Sequence, residues 1–490
     1  MVLSSSVYFV FLVAIFLLYW PLSRWRAAGL GVLLFANYFF YAKWDLFYLV
    51  LIPSASFLDY CIGLGLGLGI GKQALPAVPA TLWDRARTIL AHPAARRVLV
   101  LCSLVLNLGI LATFKYMPFI LSAWAGAAGT KPAEWHWTFP LGISFYCFQS
   151  LTYTIDLYRK DGKPVTSLLA HMTAVSFFPT TLSGPITRVL NLAPQMERGG
   201  RTLSAEDSGK ALFRIALGLM KKFLIADYLA ENLVNRVFDT PGLYTGMETF
   251  IGVWAFAFQL YYDFSGYTDL AIGSAMLFGL KLPENFNRPY LSQDISDFWR
   301  RWHISLSNWL RDYLYFSLPG LRSKFKVFTY VNLVVTMVLG GLWHGPSWTF
   351  VAWGALHGVA LAVHHAWRTY MSAWKYGKSS VFRVAAVIFT ANYVVFCWIF
   401  FRSTSFENAR GILARLASGS VSFANISLPF ATVLAIAILA HLAPKKWYEF
   451  SLRQFQRAPF YAQAALVALL VLAIQYVAMT GAAPFLYTKF

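Results

Sequence analysis

His344 stands in the stretch LGGLWHGPSW, Leu339 to Trp348, between two long apolar runs. A neutral imidazole in a low-dielectric site takes a proton from a hydroxyl or thiol near physiological pH. Ionisable residues inside membrane-like segments are functional candidates by default, because their burial is costly. Gly345-Pro346 follows at once. Proline lacks a backbone donor and cannot continue a helix, so the helix stops there and backbone groups are freed beside the ring. Two readings of this residue stay open. One is a general base at a cavity that admits a substrate, and the other is a histidine bonded to a carbonyl that stabilises the break.

Three further groups deserve the same question. His303 in WRRWHIS is either a second polar group of a site or an interfacial amphipathic residue. His357 in WGALHG is either a neighbour of the same cavity or a helix-packing residue, and its spacing from His344 is not that of a helical metal pair. Asp263 and Asp269 in YYDFSGYTDLAIG and Asp156 in YTIDLY lie among apolar residues, where pairing with arginine or capping a helix end is expected. The chain has no G-x-S-x-G, P-loop, H-E-x-x-H or dinucleotide fingerprint. Hydrolase, ATPase, zinc protease and nicotinamide chemistry are therefore unsupported. Cys61, Cys102, Cys147 and Cys397 are scattered without C-x-x-C spacing, so neither a metal nor a disulfide role is expected.

The elements that must hold these groups are membrane helices. Of 490 residues, 58% are hydrophobic and only 13% are charged, more apolar surface than a soluble chain of this length can cover. The formal charge of +20 fits basic cytoplasmic loops and anionic lipid better than nucleic acid. The segment SSSVYFVFLVAIFLLYW lacks a basic start and a small-residue cleavage site, so it is expected to be a first spanning helix rather than a signal peptide. RWR after it argues for an outside N-terminus. Stretches 72–97 and 368–383 collect basic residues and are expected to be loops on the cytoplasmic side. Apolar runs recur along the chain, several of them short or interrupted by proline and glycine. This predicts roughly eleven spans with re-entrant pieces. At 100° per residue, 297–312 predicts one amphipathic interfacial helix. Asp297, Arg300, Arg301, Asn308, Arg311 and Asp312 fall on one face, and Trp299, Trp302, Leu306, Trp309 and Leu310 on the other. His303 falls at the boundary, nearer the apolar side. No internal repeat or soluble domain is evident. From the residues alone two classes survive, an intramembrane enzyme with His344 as base and a proton-coupled transporter with His and Asp relays.

Four segments, in order, resemble the membrane-bound O-acyltransferase family. They are PLGISFYCFQSLTYTIDLYR (Pro140 to Arg159), FFPTTLSGPITR (Phe177 to Arg188), the stretch Tyr261 to Tyr315 that contains DFWRRWHIS, and GGLWHGPSWTFVAWGALHG (Gly340 to Gly358). The likeness extends over most of the chain and is nearest to the bacterial alginate O-acetylation branch, with the teichoic-acid D-alanylation branch more distant. FFPTTLSGPITR departs from the commoner FPQLVAGPI, which bears on the substrate rather than on the chemistry.

The resemblance implies one all-α polytopic membrane domain over 1–490, a ring of about eleven transmembrane helices around a central tunnel. Within it, 281–326 would be the amphipathic interfacial segment, and 327–367 a helix-break-helix carrying the catalytic histidine. His344 matches the family's invariant histidine and His303 its second position. Trp343, Gly345, Trp302, Asn308 and His357 would line the substrate path, with simple packing the other reading for the two tryptophans, and Arg300 and Arg301 would hold either CoA phosphates or lipid head groups. The donor would be an acyl thioester, acetyl-CoA in this branch, with no resident metal or cofactor. The acceptor would be an exported polysaccharide at a bacterial inner membrane, reached directly or through a periplasmic acetyltransferase partner.

Overall fold

The computed structural model describes residues 3, 5–43, 46–68, 88–137, 142–198, 202–320, 325, 327–370 and 379–478. Among them every regular element is a helix. Most of the expected loops at 72–97 and 368–383 lie outside the described residues. Contacts divide the chain into two units, Met1–Ala211 with Ala271–Pro283, and Leu212–Leu270 with Glu284–Phe490.

The first unit begins with α1 (Ser6–Leu22), α2 (Arg26–Ala42) and α3 (Tyr48–Leu68). Ser5 caps α1 by accepting the Tyr8 amide at 3.2 Å. Next, α4 (Pro93–Leu111) runs through a π turn, Ala112–Tyr116, into α5 (Met117–Ala128). Then α6 (Ile143–Arg159) is buried along almost its whole length. Asp59 of α3 ties these helices together. Its carboxylate accepts from Ser103 (2.6 Å) and Asn107 (2.7 Å) on α4 and from Ser150 (2.5 Å) on α6. Arg96 falls in a stretch expected to be loop, yet it sits in the first turns of α4 and is buried. Its guanidinium donates to the carbonyls of Leu66, Leu157 and Tyr158. Those acceptors lie at the last turns of α3 and α6, where carbonyls lack helical partners. Short helices α7 (Leu168–Val175), α8 (Phe178–Thr181) and α9 (Val189–Glu197) follow.

Two long helices are shared between the units by sequence, α10 (Ala205–Leu219) and α12 (Gly246–Leu277), with the short α11 (Asn235–Asp239) between them. Within the second unit, Gly218 and Gly266 face each other. A Cβ on Gly218 would stand 2.6 Å from the Gly266 carbonyl oxygen, and one on Gly266 would stand 2.8 Å from that of Gly218. Small residues allow this close backbone approach, and it brings a row of charges together. Lys221 meets Asp269 at 2.6 Å, and Lys222 meets both Asp227 and Asp263 at 2.7 Å. Arg214 meets Asp269 at 2.7 Å and also pairs with Glu284. The acids singled out in the sequence are thus paired, Asp263 with a lysine, Asp269 with a lysine and an arginine, and Asp156 with Arg188 at 3.8 Å.

The expected single helix over 297–312 is two helices, α13 (Ile295–Arg301) and α14 (Ile304–Trp309), the latter continuing as a π turn, Leu310–Leu314. They part at His303, whose φ of +42° no α-helix tolerates. Trp299, Trp302, Leu306, Trp309 and Leu310 are all buried, so the apolar side survives the break. Beyond them come α15 (Val327–His344) and α16 (Trp348–Tyr370), a hairpin whose backbones touch. A Cβ on Gly341 would collide with the Phe350 carbonyl, one on Gly354 with the Met337 carbonyl, and one on Gly358 would lie 2.7 Å from Val334 Cα. The chain closes with α17 (Ser380–Arg402), α18 (Phe406–Ala417), α19 (Leu428–Leu442), α20 (Lys445–Arg457) and α21 (Phe460–Ala478).

Among the described residues four helical stretches are long and apolar enough to cross a membrane: Tyr48–Leu68, Pro93–Ala128, Val327–His344 and Ser380–Arg402. The pair Leu428–Leu442 and Lys445–Arg457, bent by 99°, makes a fifth if it is one span. At about 1.5 Å per residue α12 is also long enough, but it carries Glu248, Asp263 and Asp269.

Candidate active site

The site belongs to the second unit and starts from the end of α15. Pro346 lacks an N–H and disfavours helical backbone at Gly345, so His344 is the last helical residue. Ser347 and Trp348 restart the chain, with the Val351 amide donating to the Ser347 carbonyl at 3.2 Å. A side chain at Gly345 would collide with the Phe350 ring, which lies against the bare backbone there. His344 is 4% exposed. Aromatic rings surround its imidazole: Trp343 at 5.0 Å, Trp353 at 5.1 Å and edge-on, Phe401 at 5.2 Å, and Phe350 stacked at 6.4 Å between ring centres.

His303 arrives from the break between α13 and α14 and is fully buried. Left-handed backbone is unusual for a residue with a side chain, and such strain gathers at functional sites. Phe264 lies edge-on at 4.6 Å. Asn285 holds the loop. Its carbonyl accepts from the Ile304 amide at 3.0 Å, and its side-chain oxygen accepts from the Ser305 amide (3.0 Å) and hydroxyl (2.8 Å) and lies 3.3 Å from His303 Nδ1. The indole of Trp343 faces both histidines, at 6.1 Å from His303 and 5.0 Å from His344. The two rings are therefore brought into one aromatic cluster from opposite ends of a long sequence interval.

The remaining residues divide. His357 is fully buried, and neither of its ring nitrogens has a hydrogen-bond partner among the described residues. It shares the Trp353 ring with His344, at 5.0 and 5.1 Å respectively. Trp302 stacks on Phe298 at 5.7 Å and meets Trp398 at 5.0 Å, and Trp398 in turn stacks on Trp353 at 5.7 Å. Trp302 thus joins the cluster two rings removed from His344, through Trp398 and Trp353. Asn308 is exposed. Arg300 and Arg301 are 62% and 28% exposed, and both pair with Asp297, at 3.5 and 3.0 Å. A cavity of about 220 Å³ lies alongside, lined by Trp299, Leu310, Arg311, Thr336, Met337 and His365 among others. Trp299, which lines it, has its ring 5.2 Å from that of His357.

Several residues of this arrangement went unmarked in the sequence. Trp353, Phe401 and Trp398 are common types in an aromatic-rich chain, and only the fold shows that the first two lie against His344 and that Trp398 packs against both of them. Asn285 had a weak signal, an asparagine between acidic and aromatic residues in ENFN, next to a segment rich in charge. His441 is buried, and its Nε2 accepts the Tyr290 amide at 3.3 Å, which makes it a structural acceptor.

A family model for the membrane-bound O-acyltransferases matches residues 165–407, a range that contains His303, His344 and His357. The probable alginate O-acetylase of Azotobacter vinelandii is 37% identical over 465 residues, covering 94% of this chain and 86% of that protein. Its counterpart in Pseudomonas aeruginosa is 37% identical over 473 residues, 95% of this chain and 84% of that one. The peptidoglycan O-acetyltransferase of Helicobacter pylori is 33% identical over 421 residues, 81% of this chain and 74% of that one.

Proposed function

This chain belongs to the membrane-bound O-acyltransferase family, and from that premise we propose that it moves an acetyl group from cytoplasmic acetyl-CoA across a bacterial inner membrane to an exported polysaccharide. The acetyl group reaches the polymer directly or through a periplasmic acetyltransferase partner. As a member of the family the chain is an O-acyltransferase. The relatives are named for acetylation of alginate and of peptidoglycan, so the acceptor class is a glycan hydroxyl. We include in the proposal a ring of about eleven spans around a tunnel, which would carry donor and acceptor to one point.

The observation that carries this reading is the single indole of Trp343 set against two buried imidazoles at a helix break. In the proposed step His344 takes the proton of the acceptor hydroxyl as its oxygen attacks the thioester carbonyl. The new C–O bond forms, the C–S bond breaks, and the proton passes to the departing sulfur. His303 orients the hydroxyl or polarises the carbonyl. Trp343, Gly345, Trp302 and His357 line the path, with the exposed Asn308 nearer its mouth. Arg300 and Arg301 offer charge-assisted hydrogen bonds to CoA phosphates in competition with Asp297.

The test is acetyl transfer from labelled acetyl-CoA by the full chain in lipid nanodiscs, with ester on a glycan acceptor as readout. His344→Ala is expected to lower transfer by about 10²–10⁴-fold, the usual worth of a general base, while membrane insertion and yield persist. Near-normal acetylation by that variant overturns the proposal. Proton or solute flux without any acyl donor, and no transfer, would point to a transporter instead.

A further inference from the structure

We propose that Asn285 is a positioning residue that fixes the tautomer of His303, so that this histidine meets substrate through a bare Nε2 as a hydrogen-bond acceptor. The inference rests on the reading of His303 as a site residue and decides between the two roles left open for it.

The argument starts from a group with only one possible role. A backbone N–H can donate and cannot accept. The Ser305 amide points at the Asn285 side chain at 3.0 Å, so the atom it meets is the amide oxygen and not the amide nitrogen. That same oxygen lies 3.3 Å from His303 Nδ1. An amide oxygen only accepts, so Nδ1 carries the hydrogen. A neutral imidazole has one N–H, which leaves Nε2 with its lone pair.

The oxygen is not free to turn away. Asn285 is fully buried, and its main chain is fastened to the helix break on both sides. The Ile304 amide donates to the Asn285 carbonyl at 3.0 Å, and the Asn287 amide donates to the Arg301 carbonyl at 2.9 Å. The Ser305 hydroxyl adds a third donor to the same side-chain oxygen at 2.8 Å. His303 in turn is held in left-handed backbone, which directs its ring inward.

The other end of the ring, His303 Nε2, is buried and makes no hydrogen bond to the described residues. A buried acceptor of this kind calls for a donor that is absent from the bare protein. Polarising a carbonyl needs an N–H aimed at the carbonyl oxygen, and this tautomer has none at Nε2. Holding a hydroxyl needs a lone pair, which it has. The ligand chemistry at His303 is therefore an O–H donor, in keeping with a sugar hydroxyl, and the thioester carbonyl must find its donors elsewhere.

The experiment uses the full chain in lipid nanodiscs, with histidine labelled by ¹⁵N and the His303 signals assigned by their loss in His303→Ala. The wild-type spectrum is expected to show His303 protonated at Nδ1 and bare at Nε2. Asn285→Leu, similar in size but without an acceptor, should release that preference and lower kcat by about 10–100-fold, the usual effect of removing a partner that orients a ligand histidine. The KM for acetyl-CoA should stay unchanged. Asn285→Asp keeps an acceptor oxygen and should restore the tautomer and most of the turnover. A wild-type His303 protonated at Nε2 overturns the proposal without recourse to any variant. So does an Asn285→Leu protein that keeps both tautomer and kcat. If His303→Ala leaves acetyl transfer intact while Asn285→Leu still moves the tautomer, the site reading has failed and the proposal falls with it.

Discussion

Two buried polar clusters, one in each unit, are built on opposite terms. Around Asp59 the hydrogen-bond partners are donors from other helices, Ser103, Asn107 and Ser150, and Ser103 extends the network to Thr154 at 2.8 Å. Around His303 and His357 the neighbours are chiefly aromatic rings, and three ring nitrogens find no partner among the described residues. A buried polar group that is left unsatisfied costs about 1–3 kcal/mol. The first cluster spends its polarity on joining helices, and the proposed function gives the second a substrate to bind. The lysine and carboxylate row along α12 belongs with the first kind, since each of its charges is matched at 2.6–2.7 Å.

The contrast is open to direct attack. The largest effect is expected from His344→Ala, which should remove about 10²–10⁴-fold of acetyl transfer with little change in folded yield. A loss of yield matching the loss of transfer would place His344 with the structural cluster. Lys222→Met should do the reverse. It leaves Asp227 and Asp263 buried without their shared cation, for a loss of about 3–5 kcal/mol in stability, read as a lower unfolding midpoint in detergent. Unchanged stability would mean that those carboxylates find other partners. Asp59→Asn turns one accepting oxygen into a donor facing donors, and about 1–3 kcal/mol should be lost, with turnover per folded molecule preserved. A drop in turnover at constant stability would make Asp59 functional. The smallest effect is expected from Arg301→Ala: a modest rise in KM for acetyl-CoA at unchanged kcat, the signature of lost ground-state binding. An unchanged KM would leave Arg301 only its pairing with Asp297.

Local rules carried the sequence reading a long way where the cause was local. The apolar runs named a helical membrane protein, and Gly345-Pro346 marks the place where α15 stops. Asp297 and Arg301, four apart, do pair. The phase of 297–312 was legible in its buried tryptophans but not in its continuity, because nothing in WRRWHIS announces a positive φ at His303. Strain of that kind is imposed by partners distant in sequence, here Asn285. The same limit hid the pairing of Lys221 and Lys222 with Asp269 and Asp263, which depends on the crossing of two helices at Gly218 and Gly266.

The hairpin of α15 and α16 has a consequence for traffic. At Gly341, Gly354 and Gly358 the facing backbones leave no room even for a methyl group. The seam they form is closed to an acyl chain or a lipid-borne molecule moving sideways from the bilayer. Under the proposed function, a molecule bound for His344 would have to enter by way of other elements, with the two glycine-lined helices as a wall beside the route rather than as its door.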